Sequence, residues 1–274
     1  MKVLELFSGT HSIGVVAKKL NYDVVSLDRD LDAKSTMYDY TSPHHIKCDI
    51  MTWDYKKDFK KGDFYIITAS PVCAVWSCLK NCWIGRKLKN GTIGSKATIQ
   101  NDIDLYGKPM VDKVFEIIEY FKPKYYWIEN PISSSMWNYI KTKWDFDDDE
   151  KFHKVDYCKY SNWGYKKPTI FLTNINVNFM RCKNDCENMK EDTNYHIDKC
   201  ANITYYKKPC GEIVRLRTKE LRAEAEKNCW IKLTNKHQQD VSITVGGGNN
   251  RLERYRIPAL LIEELFKNCI VLEN

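Results

Sequence analysis

Five short apolar runs, each closing on a polar residue or followed directly by one, limit the folds open to this chain more than anything else in it. Lys2–Phe7, Asp23–Asp28, His45–Asp49, Phe64–Ala69 and Tyr125–Glu129 each have the length and composition of a buried strand. After the first, a glycine-punctuated turn leads into a helix predicted through about Leu20. Before the last, Met110, Val114, Ile117, Ile118 and Phe121 recur at helical spacing. This alternation predicts an α/β fold built on a parallel sheet. Such sheets bind ligands beyond the carboxyl ends of their strands. The sharp polar residues fall there: Gly9–Ser12, Asp28, Asp49, Ser70–Cys73 and Glu129–Pro131. One such loop carries little weight, but their coincidence at every strand end places a single site along one edge of the sheet.

The first turn narrows the ligand. In "LFSGTHSIG", Gly9 and Gly14 hold the outer positions of a G-x-G-x-x-G nucleotide loop. The middle glycine, which lets a pyrophosphate approach the backbone, is replaced by His11. An imidazole there disfavours NAD and FAD, and no G-K-[ST] follows to make a Walker loop. An adenosyl cofactor without phosphates, such as S-adenosylmethionine, is tolerated. Asp28 is then placed to accept ribose hydroxyls and Asp49 to accept the adenine amino group. The same residues also suit a plain strand–turn–helix junction, so the loop alone does not decide.

Two later strand ends do more. "ITASPVCAVWS" sets Cys73 just beyond the fourth strand, and "YYWIENP" sets Glu129 at the end of the fifth. With these on the page the chain resembles the DNA cytosine-5 methyltransferases, specifically a virus- and phage-type branch. "LFSGTHSIG" resembles the family's first motif, "SPVC" its nucleophile motif and "ENP" its Glu-Asn motif. "YCKYSNWGYKKPTIFLTN" is similar to its motif-eight segment, and "RYRIPALLIEELF" to its C-terminal return helix. The likeness runs in order over about residues 1–175 and 250–270. It implies a Rossmann-like S-adenosylmethionine-dependent methyltransferase fold with a small target-recognition lobe.

The chemistry of those side chains agrees with the resemblance. Cytosine C5 is a weak nucleophile until a group adds at C6, and a thiolate adds and leaves readily. Cys73 is the expected nucleophile, with Glu129 sharing a proton with N3 as charge moves into the ring. Both ring atoms lie inside a duplex stack, so the base must be flipped out. Lys167 and Thr169 stand where motif eight usually supplies two arginines, and Lys159 is nearby. A lysine holds a carbonyl or phosphate without the arginine fork. The residue before the nucleophile, usually proline, is Val72, with Pro71 one place earlier. The cofactor site implied by the family takes Phe7, Gly9, Thr10, His11 and Ser12, then Asp28 and Arg29, Asp49 and Ile50, and Ser70 and Pro71.

Residues 1–175 are expected to form the catalytic domain, 176–245 the recognition lobe and 246–274 a segment returning to the first domain. Gly246–Gly248 punctuates the end of the lobe, and Ile257, Leu260, Leu261 and Leu265 mark a proline-started helix after it. Residues 76–108 carry Lys80, Arg86, Lys87 and Lys89 among glycines, and read as a loop closing on nucleic acid. Cys78 and Cys82 are expected to pack inside. In the lobe, Cys182, Cys186, His196 and Cys200 form C-x3-C-x9-H-x3-C, a ligand set for structural zinc, with Cys210 an alternative fourth ligand. Lys207, Lys208, Arg215, Arg217, Lys219 and Arg222, interleaved with Tyr205 and Tyr206, are candidates to contact nucleic acid, or else an ordinary charged helix face.

Composition sets the outer bounds. The net charge of +7 is a mild bias compatible with an anionic partner. Eleven cysteines, an odd number, with "MKVLELFSGT" turning acidic too soon for a secretory signal, read as reduced thiols in the cytoplasm or nucleus. No apolar stretch approaches the roughly 18 residues a membrane span needs. A monomer acting on duplex DNA is expected. The same chemistry on tRNA, a nucleic-acid-binding protein with a vestigial pocket, and a nicotinamide oxidoreductase are the competing readings.

Overall fold

The computed structural model describes residues 1–88, 91–146, 151–189, 196, 204–216, 219–233 and 255–270. Its main sheet starts with β1 (Lys2–Leu6), β2 (Asp23–Asp28), β3 (His44–Lys47) and β4 (Ile66–Ala69), followed by β5 (Tyr125–Pro131), β6 (Phe152–Asp156) and β7 (Pro168–Thr173). Their order is β3-β2-β1-β4-β5-β7-β6. The first five strands pair in parallel, and β7 runs antiparallel to β5. Val3, Leu4, Leu6, Ile66 and Ile67 are fully buried on adjacent strands, as expected where helices cover both faces of a parallel sheet. The chain leaves β1 toward β2 on one side and reaches β4 on the other. The crevice between β1 and β4 is thus the topological switch point, where open α/β sheets bind ligands.

Helix α1 (Ser12–Lys19) follows β1, and a one-turn α2 (Tyr55–Asp58) precedes β4. After β4 come another single turn, α3 (Cys73–Trp76), and a 3-10 turn at Cys78–Trp83. Next, α4 (Lys96–Asp102) runs through a π-helical stretch, Ile103–Gly107, into α5 (Lys108–Phe121). Buried Val111, Val114, Ile117 and Phe121 line one face of α5, and Phe121 meets Phe64 edge-on at 4.9 Å. The π-helical stretch puts Gly107 against α3, where a Cβ would lie 2.9 Å from the Trp76 ring. Helix α6 (Met136–Trp144) connects β5 to β6.

By internal contacts the chain divides into two compact units. One comprises Met1–Val155, Pro168–Met180 and Arg256–Asn274; the other comprises Asp156–Lys167 and Arg181–Tyr255. In the second, β8 (Thr204–Lys207), β9 (Ile213–Leu216) and β10 (Ile231–Leu233) form a three-stranded antiparallel sheet, with α7 (Lys219–Lys227) between β9 and β10. Tyr206 is fully buried there and donates its hydroxyl to Glu226 at 2.9 Å, which corrects its assignment as a nucleic-acid contact. Strand alternation turns it into the small core. Arg217 and Gly246–Gly248 lie outside the described residues.

Within the first unit, α8 (Ala259–Ile270) packs on α1. Its buried stripe is Leu261, Ile262, Leu265, Phe266 and Cys269, while Leu260 is exposed because it falls off that stripe. Phe266 contacts Tyr22 and Trp127, and the Ile257 amide donates to Ser12 Oγ at 3.2 Å. Among the described residues no helix is long and apolar enough to cross a membrane.

Candidate active site

The turn after β1 is shaped by two charged residues and two glycines. Gly9 has a φ of 52°, a conformation glycine adopts without strain, and its amide donates to Asp28 Oδ2 at 2.9 Å. Gly14 lies so close to Tyr40 that a Cβ would stand 2.7 Å from the phenol oxygen. Glu5, a carboxylate in the middle of β1, is 2% exposed. It accepts hydrogen bonds from the Ile13 amide at 3.1 Å, the Gly14 amide at 3.3 Å and Ser26 Oγ at 2.8 Å. The amino end of α1, where a dinucleotide pyrophosphate would bind, is therefore filled by the protein's own carboxylate.

This arrangement corrects the role read for His11. Its ring does not stand on the open side of the turn; it is fully buried. Nε2 donates to the Asp32 carbonyl at 3.0 Å, and Nδ1 lies 3.5 Å from Glu5 Oε2. Nδ1 is buried at a distance too long for a strong hydrogen bond, and protonating the ring lets the Glu5 carboxylate attract it. Burial pulls the pKa down, but the Glu5 hydrogen bond and charge, the Asp32 carbonyl and the Asp28 charge outweigh it, so the net shift is upward from 6.5. A raised folded-state pKa contributes stability that is fully present below the unfolded value and lost as pH rises through the folded one. Neighbouring His45, lowered chiefly by burial, acts in the opposite sense and below 6.5. Urea unfolding followed upward from about pH 6.5 is expected to show stability falling, and His11→Gln is expected to remove that part of the slope. An unchanged slope in the variant would sink the assignment.

The remaining cofactor candidates divide by exposure. Thr10 and Ser12 are buried and bonded to each other at 2.9 Å, so they offer the site backbone only. Phe7 and Gly9 are half-buried at the mouth of the turn. Asp28 Oδ1 takes the amides of Asp30 and Leu31, while Oδ2 takes only Gly9 and keeps capacity for one more donor. Asp49 accepts the Met51 amide at 3.0 Å and lies 3.7 Å from Arg29, which also forks onto Asp30. Ile50 is buried beneath it.

The next pair of strands, β4 and β5, brings the other two motifs together. They run in parallel with Ala69 opposite Ile128, so Ser70–Cys73 leaves the sheet beside Glu129–Pro131, the end of β5 that goes on pairing with β7. Asn130 Nδ2 donates to the Pro71 carbonyl at 2.7 Å, fastening the segment before Cys73 to the strand that carries Glu129. At the other end of α3, Ser135 donates from its amide and hydroxyl to the Trp76 carbonyl. Cys73 is half-buried and Glu129 is buried. Thr169 pairs with Pro131 and Phe171 with Glu129, so Thr169 lies diagonally from Glu129 on the same face. A thiol and a carboxyl group thus stand one strand over from a turn flanked by acids, whose helix amides already donate to Glu5.

No protein-family model matches the sequence. A probable DNA (cytosine-5)-methyltransferase of Frog virus 3 (isolate Goorha) is 35% identical over 196 residues, covering 70% of this chain and 80% of the relative. The chain belongs to the DNA (cytosine-5)-methyltransferase family. Among solved structures, the S. pombe Dnmt2 methyltransferase has a TM-score of 0.46 at 12% identity, covering 100% of this chain and 99% of that one. A Spodoptera frugiperda DNMT2 mutant has a TM-score of 0.40 at 15% identity, covering 66% and 53%.

Other parts of this methyltransferase sit differently from their sequence expectations. Lys167, with a φ of 37°, holds its ammonium 4.6 Å over the Tyr157 ring. Cys78 and Cys82 are exposed, because none of the residues of the 3-10 turn after α3 is buried. Lys80 pairs with Asp102 at 2.8 Å, and Arg86–Leu88 hydrogen-bond across to Gly91–Gly94, with a bridge between Lys87 and Ile93; Lys89 lies outside the described residues. In the second unit Cys182, Cys186 and His196 gather with Cys158, which the zinc spacing pattern did not include. Burial pushes the Cys158 thiol up, and the adjacent Cys186 and Cys182 sulfurs push it further. Cys200 lies outside the described residues, and Cys210 is exposed. Glu5 was also missed, although a lone acid inside an apolar strand is itself a signal.

Proposed function

We propose that this enzyme methylates C5 of cytosine in duplex DNA, using S-adenosylmethionine and a transient covalent bond from Cys73. The observation that carries the reading is the Asn130–Pro71 hydrogen bond, which holds the nucleophile loop against the strand end bearing Glu129. Phe7, the Gly9 backbone, Asp28 Oδ2 and Asp49 are the groups we assign to the cofactor, and the carboxylate-filled helix end suits an adenosyl group without phosphates. When bound, the cofactor supplies an electrophilic methyl group.

With the base flipped from its stack, the Cys73 thiolate forms a bond to C6. Glu129, buried beside it, holds a proton at N3 and so draws the displaced electron pair into the ring. The resulting enamine makes C5 nucleophilic, and C5 takes the methyl group. A base then removes the C5 proton, the ring double bond re-forms, and the S–C6 bond breaks to return the thiolate. Thr169, diagonal to Glu129, and Lys167 are assigned to the flipped nucleotide. The small unit, with its basic residues, is assigned to target recognition. The free thiols of the described residues fit a reducing intracellular compartment.

Trapping tests both substrate and chemistry. Duplex DNA or tRNA carrying 5-fluorocytosine blocks loss of the C5 substituent, so methylated adduct accumulates. With labelled cofactor, a denaturation-stable labelled adduct is expected on the DNA. An adduct on tRNA alone would overturn the DNA assignment, and none on either would overturn the covalent mechanism.

A further inference from the structure

We propose that Cys158, Cys182, Cys186 and His196 bind one structural zinc ion, with Cys158 rather than Cys200 as the fourth ligand. One ligand atom from each residue lies within 4.8 Å of every other. His196 Nε2 is 3.3 Å from the sulfurs of both Cys182 and Cys186. A tetrahedron with Zn–S of about 2.3 Å and Zn–N of about 2.0 Å has edges of about 3.5–3.8 Å. The four groups therefore stand within small adjustments of a closed coordination shell.

Hydrogen bonding among the side chains does not account for this convergence. A neutral imidazole nitrogen has one lone pair and accepts one S–H well, yet two sulfurs face Nε2 at equal distance. A disulfide between any two cysteines would leave the third thiol and the imidazole facing it. A single thiophilic divalent cation satisfies all four, and the lack of an open position marks a structural site rather than a catalytic one.

The surroundings are built to hold the ligands. Cys158, Cys182 and His196 are buried, and Cys186 is half-buried. Asn188, 3% exposed, donates to the Cys158 carbonyl at 2.8 Å and the Ser161 carbonyl at 2.7 Å, and accepts the Gly164 amide at 2.7 Å. Fully buried Asp156 accepts the Cys182 amide at 2.9 Å and Arg181 Nε at 2.8 Å. Lys166 donates to the Cys182 carbonyl at 3.0 Å. A bridge between Met189 and His196 brings the histidine back to the cysteines. Among the described residues the segments joined have no regular strand or long helix between Cys182 and His196, and a metal supplies what so small a core lacks. Cys158 follows Tyr157, whose ring lies under the Lys167 ammonium, so the ion would also steady the turn that holds this pair.

The full-length protein, expressed with zinc and purified without chelator, is expected to contain one zinc per chain by elemental analysis. Cys158→Ser is expected to lose most of it, while Cys200→Ser and Cys210→Ser keep it. Should Cys158→Ser fail to fold, the cobalt-loaded protein decides instead. Its tetrahedral d–d bands and three-thiolate charge-transfer intensity are expected to be the same in wild type and Cys200→Ser. Loss of zinc or of that spectrum in Cys200→Ser would overturn the assignment of Cys158. Zinc-free wild type that also fails to bind added zinc or cobalt would overturn the site itself. Neither readout depends on methyl transfer.

Discussion

Cys73→Ala is expected to lower methyl transfer by roughly 10⁴-fold or more while leaving S-adenosylmethionine binding unchanged. The size of the effect follows from the ring chemistry. Without addition at C6 there is no enamine, and positioning by the remaining residues does not make C5 nucleophilic. Cys73→Ser is expected to be nearly as inactive, since a hydroxyl is a far weaker nucleophile near neutral pH. The proposed cofactor groups Asp28 and Asp49 stand at the end of β2 and just after β3, away from Cys73, so binding measured by calorimetry is expected to be retained. Single-turnover transfer to duplex DNA checks the first expectation. A variant retaining a tenth of the wild-type rate would rule out the covalent route.

Glu5→Ala is expected to be the most destabilising single change near the turn, costing about 3–5 kcal/mol. It removes the acceptor for Ser26 Oγ and for the Ile13 and Gly14 amides, and the counter-charge of His11, at a place water does not reach. For a domain of this size the melting temperature is expected to fall by roughly 10 °C. Glu5→Gln keeps the volume but turns an amide donor toward groups that already donate, so an intermediate loss is expected. Differential scanning calorimetry of the three proteins measures the series. A loss of under about 1 kcal/mol for Glu5→Ala would mean that solvent takes over these donors.

Much of the fold was legible because strand periodicity and strand-end chemistry are local. The runs at Lys2–Phe7, Asp23–Asp28 and Phe64–Ala69 fall on β1, β2 and β4, and the polar residues at or just after their ends stand at the carboxyl edge. The glycine pattern at 9 and 14 announced a backbone turn, and Gly9 has the positive φ of one, whereas the close approach of Tyr40 to Gly14 came only with the structure. What could not be read was where side chains point. His11 looked like an obstacle in the turn; a buried acid on the preceding strand draws its ring inward instead. Tyr206 looked like a base-stacking residue among lysines, and alternation along β8 buries it.

The sequence by itself determined the α/β class, the sheet edge that gathers the candidate residues and, through the motifs at Cys73 and Glu129, the family, because these depend on residue type at positions the backbone period makes equivalent. Only the tertiary structure decided the partners. Glu5 reaches Ser26 on the neighbouring strand, Asn130 ties the strand end at Glu129 to Pro71, and Cys158 joins Cys182, Cys186 and His196 from upstream in the chain. Those contacts join residues some twenty or more apart in sequence, and such proximity is created by folding rather than by spacing.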